Sequence, residues 1–235
     1  MKKERAVQAL VMIALLALAN SPAVATYEGG YVCREESGAV NETWSFIKHF
    51  SWEHYYWAHP FEFTTHDHLY VDWMDVAFFS GHGGHGVITT LRNCCDPVNF
   101  WDGSVSLGDD FLEFITVDAC SVAPAPPDVG DSWDDGWWDV FHRLHQFLSF
   151  RGTGWYNGTV EDNYASYLKA GQTFMTAWMN AANSVRSGGE YPGYTSIIWA
   201  YPQGSYAGAH NDRYIPYPTQ DPPHDLTTIA ITWQY

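Results

Sequence analysis

The chain has 235 residues, with 11 Lys and Arg against 27 Asp and Glu, a formal net charge of −16. A surface of that sign repels nucleic acid and anionic lipid, which argues against either as a partner. The hydrophobic fraction of 46% includes 12 Trp, 15 Tyr and 13 Phe, enough for one sizeable core rather than an unfolded acidic chain.

The first 25 residues, MKKERAVQALVMIALLALANSPAVA, place Lys2, Lys3 and Arg5 ahead of an apolar run and end in Ala23-Val24-Ala25. That is the pattern of a cleavable signal peptide, which predicts a secreted or extracytoplasmic protein with a single domain over 26–235. Losing three basic residues and one acidic residue with the leader takes the charge from −16 to −18. No later run is apolar enough to cross a bilayer, so stable membrane insertion is not expected.

From Tyr27 to His68 the sequence is aromatic and polar without a sustained period. The first expected strand is Asp75 to Ser80, whose Val76, Ala77, Phe78 and Phe79 form the continuous apolar run of a strand buried on both faces. The stretch from Val87 to Asp110 has turn signals at Asp96-Pro97 and Asp102-Gly103 and reads as loop with a short hairpin. Leu112 to Val117 is a second strand, running into Asp118-Ala119-Cys120. SVAPAPPDVGDSWDDG, residues 121–136, is rich in Pro and Asp and reads as an irregular surface loop.

WWDVFHRLHQFLSF, 137–150, spaces Val140, Phe141, Leu144, Phe147 and Leu148 as a helix would. A second helix is expected over 164–185, with Leu168, Phe174, Met175 and Trp178 as its stripe despite Gly171. Strands at 195–201 and 227–233 close the chain. The alternation predicts an α/β sandwich of three layers, a largely parallel central sheet with helices on both faces.

In such sheets ligands bind beyond the carboxyl ends of the strands. VAFFSGHG delivers His82 there, and LEFITVDAC delivers Cys120. If the two strands are neighbours, imidazole and thiol leave the sheet at one edge, which is what nucleophilic catalysis by cysteine requires. Cysteine usage bears on this. Cys33, Cys94, Cys95 and Cys120 make an even count in an exported chain, which favours disulfides, but adjacent cysteines rarely bridge each other. A bridge from Cys33 to Cys94 or Cys95 leaves Cys120 free, whereas a bridged Cys120 would end its catalytic role.

An apolar strand ending in Ser-Gly-His-Gly, then one ending in Asp-Ala-Cys, resembles the dyad signature of the caspase-like cysteine peptidases, the group of caspases, metacaspases, legumain and gingipains. RLHQFLSFRG, GQTFMTAWMNAA and HNDRYIPYP are more similar to a secreted prokaryotic branch of that group whose activity is unestablished. The resemblance implies a three-layer caspase-like domain acting on a protein or peptide substrate. Cys120 would be the nucleophile and His82 the group that protonates the leaving amine. The N–H groups of Gly83 and Cys120 would hold the oxyanion. Gly81 and Gly84 let the loop turn, Asp118 either caps or orients the loop or only terminates its strand, and His85 is the second candidate for the base.

In that group the residue before the scissile bond is often charged and is held by loops after the two catalytic strands. Asp128, Asp131, Asp134 and Asp135 lie in such a loop, which points to cleavage after Arg or Lys through carboxylate pairing. The competing reading of these aspartates is a solvated loop. No organic cofactor is implied. Calcium could bind the acidic loops, although no EF-hand spacing supports it. Oligomeric state is not readable from the chain.

Two rivals remain open. His66-Asp67-His68, His82 with His85, and His142 with His145 are ligand-type pairs suited to a zinc hydrolase, but the helical HExxH pattern is absent. A catalytically inactive caspase-like module could instead bind a protein or a carbohydrate through exposed Trp133, Trp137 and Trp138.

Overall fold

The computed structural model describes residues 27–33, 37–90, 96–154, 158–185, 194–202, 209–214 and 226–234. In chain order the strands are β1 (Glu28–Val32), β2 (Glu53–Trp57), β3 (Val76–Ser80), β4 (Gly83–Gly84), β5 (Val87–Thr89), β6 (Pro97–Asn99), β7 (Phe114–Asp118), β8 (Gln146–Phe150), β9 (Thr195–Pro202) and β10 (Leu226–Trp233). The helices are α1 (Ser37–Ile47), α2 (Pro126–Val129), α3 (Thr159–Lys169) and α4 (Phe174–Ser184), with 3-10 turns at Pro60–Glu62, Asp67–Leu69, Val71–Trp73, Gly130–Asp134 and Ala209–Asn211.

Seven strands form one sheet in the order β10-β9-β8-β7-β3-β1-β2. β2, β1, β3, β7 and β8 run parallel, and β9 and β10 add an antiparallel edge. Every residue of β1, β3, β7 and β8 is buried, which explains why VAFFS and FITVD show no alternation of polar and apolar residues. The α/β class with a largely parallel sheet is as the sequence predicts.

The covering of the two faces is unequal. All three eleven-residue helices lie on one face, where Phe46, Val160, Tyr164, Leu168, Phe174 and Trp178 pack on Phe78, Phe114, Leu148 and Phe150. The stacking of Phe114 on Phe174, with centroids 3.7 Å apart and planes 7° from parallel, fixes α4 against β7. On the other face Tyr31, Phe79, Ile115, Val117 and Phe147 are covered by Phe63, Val71, Phe100 and Trp137 from turns and from the small β4-β5-β6 sheet. The Gly, Pro and Asp content of those segments explains why turns rather than long helices form there.

Four expectations need correction. Residues 137–150 are not a helix: they are turns followed by β8, a strand inside the sheet. A short apolar run suits a helix or a strand buried on both faces, and here the sheet wins because β8 buries Phe147, Leu148 and Phe150 while Ser149 donates to the Val117 carbonyl at 2.8 Å. The helix expected over 164–185 is two helices, α3 and α4. Gly171 between them has φ +82, and Thr173 caps α4 by accepting the Thr176 N–H at 3.1 Å. Residues 121–136 contain α2 and a 3-10 turn, and the stretch read without a period contains β1, α1 and β2.

Candidate active site

β3 and β7 are hydrogen-bonded parallel neighbours with Ser80 opposite Asp118. Two residues further on, His82 and Cys120 therefore stand at equivalent positions past the same edge. The pairing runs one step beyond the strands, with the Gly81 N–H donating to the Asp118 carbonyl at 3.1 Å. The loop after β3 then folds onto the turn after β7. A Cβ on Gly83 would lie 2.4 Å from Val122 Cγ2 and 2.9 Å from Ala119 Cβ, so only glycine lets the backbone there approach the chain on either side of Cys120. The His82 carbonyl accepts the Thr89 N–H at 3.0 Å, and the Gly86 N–H donates to Val122 at 2.9 Å, which pins this loop at both ends.

Cys120 is half-buried and a free thiol, and His82 is exposed. The Gly154 N–H donates to Cys120 Sγ at 3.4 Å, and the Ser121 N–H donates to the Gly152 carbonyl at 2.8 Å, so the segment after β8 holds the thiol in place. Ser121 has φ +57, the one non-glycine residue with positive φ among those described, and it directly follows the thiol. Backbone held in that region by its surroundings is found disproportionately at reactive sites.

Beneath this edge is a group that sequence reasoning missed. Glu42 of α1, Asp118 of β7 and Glu161 of α3 are at most 1% exposed, and one carboxylate oxygen from each lies within 4.8 Å of the others. Ser80 Oγ donates to Glu42 Oε2 at 2.5 Å. Burial, then the charges of Glu161 and Glu42, push the Asp118 carboxyl well up, and burial raises Glu161 as well. The signal was present in the sequence as charges within apolar stripes. Glu42 falls among Ala39, Phe46, Ile47 and Phe50, and Glu161 among Val160, Tyr164, Ala165 and Leu168, all buried.

The acidic loop is divided. Asp128 is engaged by Arg151, which donates from Nε at 2.9 Å and from an Nη at 2.7 Å, and it also accepts the Ala125 N–H at 2.9 Å. Asp131 and Asp135 are exposed and Asp134 is half-exposed, in or beside the 3-10 turn Gly130–Asp134 that follows α2. His85 is exposed and near enough to Asp128 to act on its charge.

His66 and His68 are neighbours, with ring centroids 6.3 Å apart, but His142 and His145 engage different aspartates. His142 Nδ1 lies 3.0 Å from Asp109, whereas buried His145 bonds through Nδ1 to Asp212 at 2.8 Å, and neither stands on a helix. Among the described residues the one group with metal-ligand spacing is the carboxylate trio, which has no imidazole. Trp137 is fully buried in the core, Trp133 packs partly against it, and only Trp138, at 47%, is well exposed. Cys33 is a buried free thiol, not bridged as one reading of the cysteines would have it, while Cys94 and Cys95 lie outside the described residues, as does the leader. No helix among the described residues is long and apolar enough to cross a membrane.

The chain belongs to the family described as DUF6345, a domain of unknown function, which matches residues 17–235. A comparison with curated proteins gives no match. Among solved structures it is similar to the X-ray structure of a secreted C11 cysteine protease from Bacteroides thetaiotaomicron, "iotapain", at 9% identity and a TM-score of 0.48 over 76% of this chain and 67% of that one. At that distance the functional reading rests on this chain's own residues.

Proposed function

We propose that this protein is a secreted cysteine endopeptidase of the caspase-like type, with Cys120 as nucleophile and His82 as its acid–base partner. The observation that carries the reading is the register of β3 and β7, which brings a thiol and an imidazole from distant parts of the chain to equivalent positions past one sheet edge. Cys120 Sγ attacks the peptide carbonyl carbon, and the N–H groups of Gly83 and Cys120 receive the charge that develops on its oxygen. Collapse of that intermediate expels the amine, which takes its proton from His82 and leaves a thioester. Water activated by the imidazole then releases the acid and restores the thiol.

Exposed Asp131 and Asp135, with Asp134, favour substrates carrying Arg or Lys. Asp128 is committed to Arg151 and supports the loop instead.

The test is hydrolysis of a positional peptide library by the purified protein. Cys120→Ala and His82→Ala, checked for folding by thermal melts, are each expected to lower kcat/KM about a thousandfold or more. Replacing Asp131, Asp134 and Asp135 together by Asn should raise KM for Arg and Lys substrates with little change in kcat. Hydrolysis that persists in Cys120→Ala sinks the proposal. A second reading, a binding module without turnover, is favoured by Trp52, Tyr55 and Trp57, which are 58%, 37% and 41% exposed on and beside the edge strand β2. Carbohydrate or peptide binding that survives Cys120→Ala, with no turnover beforehand, would establish it.

A further inference from the structure

We propose that Glu42, Asp118 and Glu161 bind a hard divalent cation, pinning α1 and α3 to the carboxyl end of β7. Oxygens that share one ion with bonds of about 2.4 Å lie no more than about 4.8 Å apart. The observed oxygens fall within that limit, 4.8 Å of one another.

The independent observation lies in hydrogen bonding. Asp118 Oδ2 and both carboxylate oxygens of Glu161 are buried, yet no group donates to them. Neither residue forms an ion pair among those described. Buried polar atoms nearly always find a partner, and an unpaired buried carboxylate is among the most costly exceptions. A cation would supply the positive partner that this group of buried carboxylates lacks. The other way to relieve the repulsion is a proton shared between Asp118 and Glu161.

The donor set selects the ion. With oxygen ligands only, zinc and copper are disfavoured relative to calcium, magnesium or manganese. Magnesium keeps several of its waters, and a site this deeply buried suits an ion that sheds them, so calcium fits best. Ser80 holds Glu42 from outside the site, and Ser80 and Asp118 each stand two residues before a member of the dyad. The ion would thus lock the shared base of both loops. This inference does not rest on the peptidase reading, since the site stands whether or not Cys120 turns over a substrate.

The experiment is calorimetric titration of the full chain, stripped with EDTA, using CaCl2, MgCl2 and MnCl2, with melts at matched ionic strength. Terbium serves as a luminescent probe, because Tyr164 stands three residues after Glu161 on α3, with its Oη 3.0 Å from Oγ1 of Thr116, two residues before Asp118, and its ring centroid 5.2 Å from that of Trp178. Saturable calcium binding with a raised Tm is expected, together with terbium emission that calcium quenches. Glu161→Gln and Asp118→Asn should abolish both, and Ser80→Ala should weaken binding about tenfold. Replacing Asp131, Asp134 and Asp135 by Asn should leave the affinity unchanged. No saturable binding of any of the three metals by the wild type would overturn the proposal in favour of the shared proton. Binding that is unchanged in Glu161→Gln but lost with the surface aspartates would overturn it equally.

Discussion

At the amino edge of the sheet, Asp72 is buried and receives the Gly108 N–H at 2.6 Å on one oxygen and the Asp110 N–H at 2.9 Å on the other. Asp75 there accepts the Tyr27 N–H at 2.9 Å. At the carboxyl edge Asp118 and Glu161 are buried as deeply, and Asp118 Oδ2 and both Glu161 oxygens receive no donor. The amino-edge carboxylates fasten loops: their charge is removed from water and returned to backbone amides, which is how a folded chain ordinarily tolerates buried acids. At the carboxyl edge only Glu42 holds a neighbour in this way, through Ser80 Oγ, whereas Asp118 Oδ2 and both Glu161 oxygens meet no donor. That difference is why the proposed cation site lies at the carboxyl edge and not among the amide-bonded aspartates of the other.

The strongest test of the distinction is Gly83→Ala. The added methyl would stand 2.4 Å from Val122 Cγ2 and 3.0 Å from the Val87 carbonyl oxygen. Relief requires the loop to move away from Cys120, taking with it the N–H proposed as an oxyanion donor. The expected loss in kcat/KM is about a hundredfold or more, against a stability cost of about 1–3 kcal/mol. Peptide kinetics beside thermal melts separate the two, and a stability loss with unchanged kinetics would reduce Gly83 to packing.

Asp72→Ala is the counterpart at the other edge. It strands the N–H groups of Gly108 and Asp110 and should destabilise the fold by about 2–4 kcal/mol in urea titrations, with kcat unchanged. A variant that lost kcat in proportion to stability would show that the edges are coupled and would blunt the comparison.

The sequence discloses the two edges unequally, for reasons of locality. His82 and Cys120 were legible because each ends a continuous apolar run at a glycine or a small residue, a pattern carried within a few consecutive positions. The β3 and β7 strands and the β9–β10 edge were legible for the same reason. β8 was misread because Val140, Phe141, Leu144, Phe147 and Leu148 fall at helical spacing while Phe147 and Leu148 equally suit a strand buried on both faces, and only the neighbours β7 and β9 decide between them. Gly171 did interrupt its helix, as its propensity cost against alanine indicates. Glu42 and Glu161 escaped because their relation to Asp118 is wholly tertiary. A charge inside an apolar stripe signals burial but not its partners, and only the packing of two helices under one strand end brings these acids to Asp118.

Glu28 lies between the two cases and gives the smallest expected effect. It is 1% exposed at the start of β1; Oε1 accepts the Tyr214 hydroxyl at 2.8 Å, while Oε2 has no partner. Burial, opposed by that hydroxyl and reinforced by the charges of Asp75 and Glu53, pushes its carboxyl up to about 7. An unfolded glutamate titrates near ~4.3, so between that value and about 7 the folded state binds the proton more tightly. The resulting stabilisation is complete below the unfolded value and is lost as pH rises through the folded one. Asp72 and Asp75, each raised to about 6, slope in the same direction, so the wild-type profile alone cannot isolate Glu28. The difference between wild type and Glu28→Gln can, because glutamine keeps an acceptor for Tyr214 and removes the charge. The variant should be more stable than wild type at pH 8, with the gap closing as pH falls toward ~4.3. Urea titrations across that range would show it, and parallel profiles would mean that Glu28 is already satisfied as fully as Asp72.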